Sequence, residues 1–397
     1  MQKFLKKIVK YFGYLVALLL LKFIRIFGLE VRFCKLLYQR IGHFCGDFIL
    51  YEANQRVGKH KKHLLFLYNG CPANAQWEKV FKRNALVMPK FVTRIVDFER
   101  LAKKQSQLFL PTHFNNSTRD VTGVVHKVPK KSWLLKCEEI EVEKLLGNRG
   151  WRGEPIITIH IRDSGYLSNN ELHQTAKKSN WSYHSYRDSN IDSYSETVSN
   201  LIKLGYFICR IGKNTNKRLP ITNKNYIDCW HDDLRLDLVD IWLCLNSKMV
   251  VSTASGIDSL AAYSGIPVCF VNAMPLKEAW TFSKCLWVPK NCYWKKSGRS
   301  LTFHEMIIHS YFRTEDYQAA GIILEDLTSD EITDGVMETL QRLDGTWQVS
   351  EDELAIKRKI EKILMSNPNF DKEYGFFHPQ FSFGMNWIRS KGPGFLE

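Results

Sequence analysis

Along the second half of this chain, short apolar runs alternate with amphipathic stretches of helical length. The runs at 156–161 (IITIHI), 206–211 (YFICRI), 226–229 (YIDC), 249–252 (MVVS) and 268–272 (VCFVN) read as strands, rich in β-branched and aromatic residues. Between them, Ser193 and Glu196 form a capping-box pattern that opens a helix to Leu204, with Gly205 as its stop. Residues 236–246 and 257–264 read as two more helices. Strand and helix alternating at these lengths predict parallel βαβ units in a doubly wound sheet. Beyond them the pattern gives helices at 301–309, 329–343 and 350–365, then an aromatic, Gly-rich end. The first half is less regular: strands at 63–68 and 107–110, and a helix over 131–147 that stops near Gly147 and Gly150.

At 397 residues the chain exceeds one ordinary core. The pattern divides it into a basic amphipathic helix (1–36), an N-terminal Rossmann-like domain (37–150), a C-terminal one (151–345), and a tail (346–397) expected to pack back on the N-terminal domain. The fold class is therefore α/β. The net charge of +15 changes the picture only at one end. Residues 1–62 hold 13 Lys and Arg against 3 Asp and Glu, a surplus of +10, so the remainder carries +5. A nucleic-acid binder with a distributed basic face is disfavoured by that distribution. The apolar run 11–21 falls short of the about 20 residues a membrane span needs, and no small-residue cleavage site follows it. An interfacial helix on an anionic membrane surface is the preferred reading, against a true span or a helix packed on the protein itself. The ten cysteines make no CxxC pair and no metal-type spacing, as in a reduced cytosolic chain.

Chemistry concentrates where the strands end. His160, Arg162 and Asp163 follow the first strand of the second half, and Gly212 and Lys213 follow the next. The turn Ser252-Thr253-Ala254-Ser255-Gly256 leads from a third strand into a helix carrying Asp258 and Ser259. Open parallel sheets bind ligands beyond the carboxyl ends of their strands. An Arg there grips phosphate oxygens in a fork, and a helix start with small residues offers N–H groups to a diphosphate. Asp163 either holds the Arg or is itself a base; Asp258 either caps the helix or binds a ligand hydroxyl. Arg187 and Asp188, in YHSYRDSNIDSY (183–194), precede the helix of the same βαβ unit and can reach the same place. No Walker-type GxxxxGK[ST] sequence is present.

The segments RIGHF (40–44), HIRDSGYL (160–167), YRDSNIDSY (186–194), LIKLGYFICRIGK (201–213), STASGIDSL (252–260) and LEDLTSDEI (324–332) together resemble a bacterial family of glycosyltransferases of surface-polysaccharide loci. His160-x-Arg162 is similar to the HxR element of GT-B fucosyltransferases, and the Ser255-Gly256 to Pro267 stretch is similar to the phosphate-binding turn of heptosyltransferases. Two positions depart from those patterns: Asp163 stands where a second basic residue is usual, and Ser259 where a His is. The resemblance implies a GT-B-like fold, two Rossmann-like domains facing a cleft. It places a nucleotide-sugar donor on the C-terminal domain and a glycan or lipid-linked acceptor on the N-terminal one, and needs no metal or other cofactor. His160, Arg162 and Asp163 would then be catalytic. Arg187, Asp188, Gly212, Lys213, Ser252, Thr253, Ser255, Gly256, Asp258 and Ser259 would bind the donor. Gly42 and His43, expected in a strand-to-loop turn, would lie on the acceptor side, although a buried junction His fits as well; Asp47 joins Asp163 and His43 as a candidate base. The implied setting is the cytoplasmic face of the bacterial inner membrane, held peripherally. The rival reading is a non-catalytic nucleotide-sugar-binding or scaffold protein of a polysaccharide assembly complex.

Overall fold

The computed structural model describes residues 2–27, 31–58, 63–67, 71–96, 103–104, 109–110, 118–163, 165 and 181–397. The chain divides into two compact units, Met1–Thr118 and Arg119–Glu397. Residues 119–150, grouped by pattern with the N-terminal half, belong to the second unit. Hydrophobic contact explains this: helix Lys136–Asn148 buries Val142 and Leu146 and packs on helix Asp237–Asn246, and Trp151 meets Trp242 edge-on at 5.9 Å.

In the first unit, β1 (Val31–Lys35), β2 (His63–Leu67), β3 (Leu86–Val87) and β4 (Phe109–Leu110) form a parallel sheet in the order β3-β2-β1-β4. Its core is aromatic: Phe44, Phe48, Phe66 and Phe81 meet edge to face, with Trp77 against Phe48. The N-terminal helix α1 spans Gln2–Ile26 rather than 1–36, because the VRFCK segment joins the sheet as β1. Tyr14 and Leu21 of α1 bury against Phe33, while Phe4, Leu5, Ile8, Phe12, Leu19 and Phe23 stay exposed. Among the described residues, no helix is long and apolar enough to cross a membrane. RIGHF does not form a strand-to-loop turn; its Ile41 starts helix α2 (Ile41–Arg56).

The second unit holds a seven-stranded sheet. Its strands are β5 (Ile156–His160), β6 (Phe207–Arg210), β7 (Tyr226–Asp228), β8 (Met249–Ser252), β9 (Val268–Val271), β10 (Cys285–Val288) and, beyond the antiparallel pair β11 (Asn291–Trp294) and β12 (Ile322–Glu325), β13 (Ser382–Phe383). The order is β13-β10-β9-β8-β5-β6-β7 and every pairing is parallel. Strands β6 to β10 are almost wholly apolar and buried, as a sheet covered on both faces requires; each fully buried Ile, Val or Phe contributes about 1.5–3 kcal/mol. Two sets of helices cover the sheet. One groups Ser195–Lys203, Ser329–Asp344 and Met385–Ser390; the other groups Lys136–Asn148, Asp237–Asn246 and Asp258–Tyr263. The tail, expected to pack on the N-terminal domain, is part of this unit and supplies its edge strand β13.

The helix after residue 190 starts differently from its capping-box reading. Asn190, not Ser193, caps the chain by accepting from the Asp192 N–H; a 3₁₀ turn (Ile191–Tyr194) follows, and the α-helix begins at Ser195.

Strand order locates the site. From β5 the chain moves to β6 and β7 at one edge, then returns to β8 and runs out through β9 and β10 the other way. The reversal falls between β5 and β8, the switch point at which doubly wound sheets open a crevice.

Candidate functional site: a paired-arginine turn at the switch point

His160, the last residue of β5, lies in register with Ser252, the last of β8. The residues that follow both strands therefore emerge side by side, which is why a buried β-branched run delivers charged groups at its end. Asp258, fully buried, ties the two strands together. It accepts from Ser252 Oγ at 2.7 Å and from the Ser255 N–H at 2.5 Å, and lies 3.3 Å from His160 Nδ1. Because a carboxylate only accepts, this contact assigns the Nδ1 proton to His160 and leaves Nε2 for other chemistry. Gly212, two residues beyond β6, has φ +141°, and a Cβ built there would lie 3.0 Å from Thr215 and 3.8 Å from the His160 ring. A side chain there would be strained and would crowd Thr215 and the imidazole.

Two arginines meet the turn after β8, one through its backbone and one through its guanidinium. The Arg162 backbone N–H donates to Thr253 Oγ1 at 3.0 Å, and its Nε to Asp188 Oδ1 at 3.1 Å. Arg187 reaches the same turn through Nη2, which donates to the Ala254 carbonyl; its Nε is buried without a partner among the described residues. Burial first, then repulsion from Arg187, draws the Arg162 pKa down to about 10 against the pull of Asp188. The Asp188 carboxyl is pushed up, chiefly by burial and against the attraction of Arg162. Ala254 holds a left-handed φ of 59°, unusual for a residue with a Cβ. Arg162 and Arg187 thus lie close enough to repel each other, and Asp188 is the carboxylate bonded to one of them.

Several expected ligand contacts are engaged within the protein. Ser252 and Ser255 serve Asp258, Thr253 accepts from Arg162, and Ser259 Oγ donates to the Gly256 carbonyl at 2.8 Å. The helix expected over 257–264 is only Asp258–Tyr263. So short a helix has little macrodipole, and the positive potential comes from the arginines instead. Asp163 accepts the Gly165 and Asn216 N–H groups, one on each oxygen, both at 2.8 Å; it fastens two loops. Lys213 is ion-paired with Asp237. Near that pair the buried Asp240 carboxyl is pushed up to about 6, first by burial, with Lys213 and His160 opposing.

In the first unit, Gly42 and His43 lie in the opening turn of α2. His43 Nδ1 is 2.6 Å from Thr118 Oγ1 and 3.3 Å from the buried Asp47, one turn along the helix. Among the described residues, no group of three or more His, Cys, Asp or Glu side chains is placed to hold a metal ion. All ten cysteines are free.

The sequence reading missed the residues that hold the 187–190 loop. Lys290, directly after β10, donates to the Asp188 carbonyl at 2.6 Å and to Asp326 at 2.5 Å. Asn272, at the end of β9, donates to Ser189 Oγ at 2.8 Å. Thr314 Oγ1 accepts from the Tyr186 N–H at 3.1 Å. A signal existed for two of them: each is a polar residue that closes an otherwise apolar run, VCFVN and CLWVPK.

No family model and no curated protein sequence matches the chain. Among solved structures, it is similar to a glycosyl transferase family 9 protein from Veillonella parvula DSM 2008, at 9% identity over 85% of this chain and 98% of that one, with a TM-score of 0.40. It is also similar to the E. coli ADP-heptose lps heptosyltransferase II, at 12% identity over 80% of this chain and 100% of that one, with a TM-score of 0.43. Both likenesses are loose; the chemistry of the site is read from its own residues.

Proposed function

We propose that the chain is a glycosyltransferase that moves a sugar from a nucleoside-diphosphate sugar to a glycan or lipid-linked acceptor, in the biosynthesis of bacterial capsule, O-antigen or lipopolysaccharide. One observation carries the reading. At the sheet's switch point Arg187 holds the 253–254 turn through its guanidinium and Arg162 through its backbone N–H, their guanidiniums are close enough to repel, and Asp188 is the one carboxylate hydrogen-bonded to either among the described residues. Two forked cations around an amide turn suit a diphosphate.

When the bond between sugar and phosphate breaks, negative charge develops on the departing oxygens. The two guanidiniums stabilise it in place, with His160, held by Asp258, beside them. This pair takes the part a divalent ion plays in metal-dependent transferases. In the GT-B arrangement the donor rests on the second unit and the acceptor on the first. The exposed apolar residues of α1, with exposed Lys6, Lys7 and Lys10 beside them, hold the enzyme peripherally on the anionic cytoplasmic face of the inner membrane.

The deciding experiment is binding. Titrating UDP, GDP, ADP, TDP and CMP by calorimetry should give saturable binding of at least one diphosphate, lost in Arg162→Ala; silence from all five would end the reading. For the anchor, removing residues 2–26 should release the protein from liposomes containing anionic lipid, and undiminished sedimentation would refute it.

A further inference from the structure

We infer that Lys290, Asp326 and Asn272 are positioning residues that set the two phosphate-binding arginines through the 187–190 loop; this rests on the donor reading above. Arg187 ends a 3₁₀ turn (Trp181–Arg187), and the three residues after it, which have no repetitive structure, are each held from outside. Lys290, nearly buried, fixes the Asp188 carbonyl and pairs with Asp326. The other oxygen of Asp326 accepts from the Asn190 N–H and from Ser189 Oγ, both at 3.1 Å. Asn272, fully buried with φ +54°, donates to Ser189 Oγ and accepts from the Leu327 N–H at 2.6 Å, which binds the segment carrying Asp326 to the end of β9.

The load of this brace is specific. Arg187 precedes the held residues, and Asp188, among them, is the carboxylate that orients Arg162. Releasing the brace would let both guanidiniums wander, so an incoming diphosphate would have to order them at its own expense in affinity.

The test uses the full chain with Lys290→Met, Lys290→Arg, Asp326→Asn and Ser189→Ala. The readouts are the Kd for whichever nucleoside diphosphate the wild type binds, the melting temperature, and amide hydrogen exchange. We expect the Kd to rise about tenfold or more in Lys290→Met and Asp326→Asn, less in Ser189→Ala, with partial recovery in Lys290→Arg. Amides of residues 188–190 should exchange faster in step. A merely structural brace would lower the melting temperature and leave the Kd of the folded protein within about twofold; that result overturns the inference while the donor reading survives. Should the first two variants fail to fold, Ser189→Ala decides by the same criterion. A wild type that binds no diphosphate brings down the donor reading itself, and this role with it.

Discussion

Two basic regions stand at the carboxyl end of the same seven-stranded sheet, and they are neutralised differently. Along the β6–β7 edge every prominent cation has its own acid: Arg210 with Asp228 at 2.9 Å, Arg218 with Asp232 at 2.8 Å, Lys213 with Asp237, and Lys217 with Asp192. At the β5–β8 junction, Arg162 and Arg187 share a neighbourhood in which Asp188 alone is bonded to a guanidinium. The first region pairs each cation with an acid; in the second, two guanidiniums share one hydrogen-bonded carboxylate, which is what the proposed anion site needs. A surplus of basic residues therefore says little about ligands until the pairing is known.

The contrast can be broken most directly at Arg210, which is 1% exposed. Arg210→Met strands Asp228 without its partner and should destabilise the fold by about 3–5 kcal/mol, measured by denaturant unfolding. A loss under about 1 kcal/mol would remove the structural role assigned to that edge. At the junction the effect should fall on activity instead. Arg162→Ala or Arg187→Ala should lower turnover by about 10²–10³ with little change in melting temperature, and a large stability loss without loss of activity would invert the comparison. Asp240→Asn tests the boundary between the regions. The wild-type carboxyl ionises near 6 when folded and near 3.8 when unfolded, so the folded state prefers the proton. The cost of ionising it is absent below about pH 4, grows between 4 and 6, and is complete above. The Asn variant should therefore gain stability over wild type, on the order of 3 kcal/mol, only as pH rises through that window; a pH-independent difference would contradict the buried-acid account. The smallest effect belongs to Lys217→Ala, which removes an exposed pair and should change stability by less than about 1 kcal/mol.

Strands β5 to β9 were readable because each is a run of apolar residues bounded by turns, and their ends fell within a residue or so of expectation, whereas β10 to β13 were not anticipated. The meeting of His160, Arg162 and the 252–258 turn was readable too, since parallel strands bring their carboxyl ends together. Two things were not. Hydroxyls at Ser252, Thr253 and Ser259 look like ligand donors in one dimension, but in three they satisfy Asp258, Arg162 and Gly256. The brace on residues 188–190 comes from positions 82 to 138 residues away, and no local pattern links Asn272, Lys290 and Asp326 to the loop they hold. In the first half, the VRFCK strand was absorbed into the preceding amphipathic helix because its apolar residues continue that pattern.

Asp163 has one further consequence. Its two oxygens join the Gly165 amide to the Asn216 amide, and a methyl group built on Gly165 would overlap the Asn214 carbonyl. Asp163 and Gly165, just after β5, are thus tied to residues 214–216 after β6. A substitution at either Gly165 or residues 214–216 is therefore expected to be felt at the other, so the two positions are best varied together.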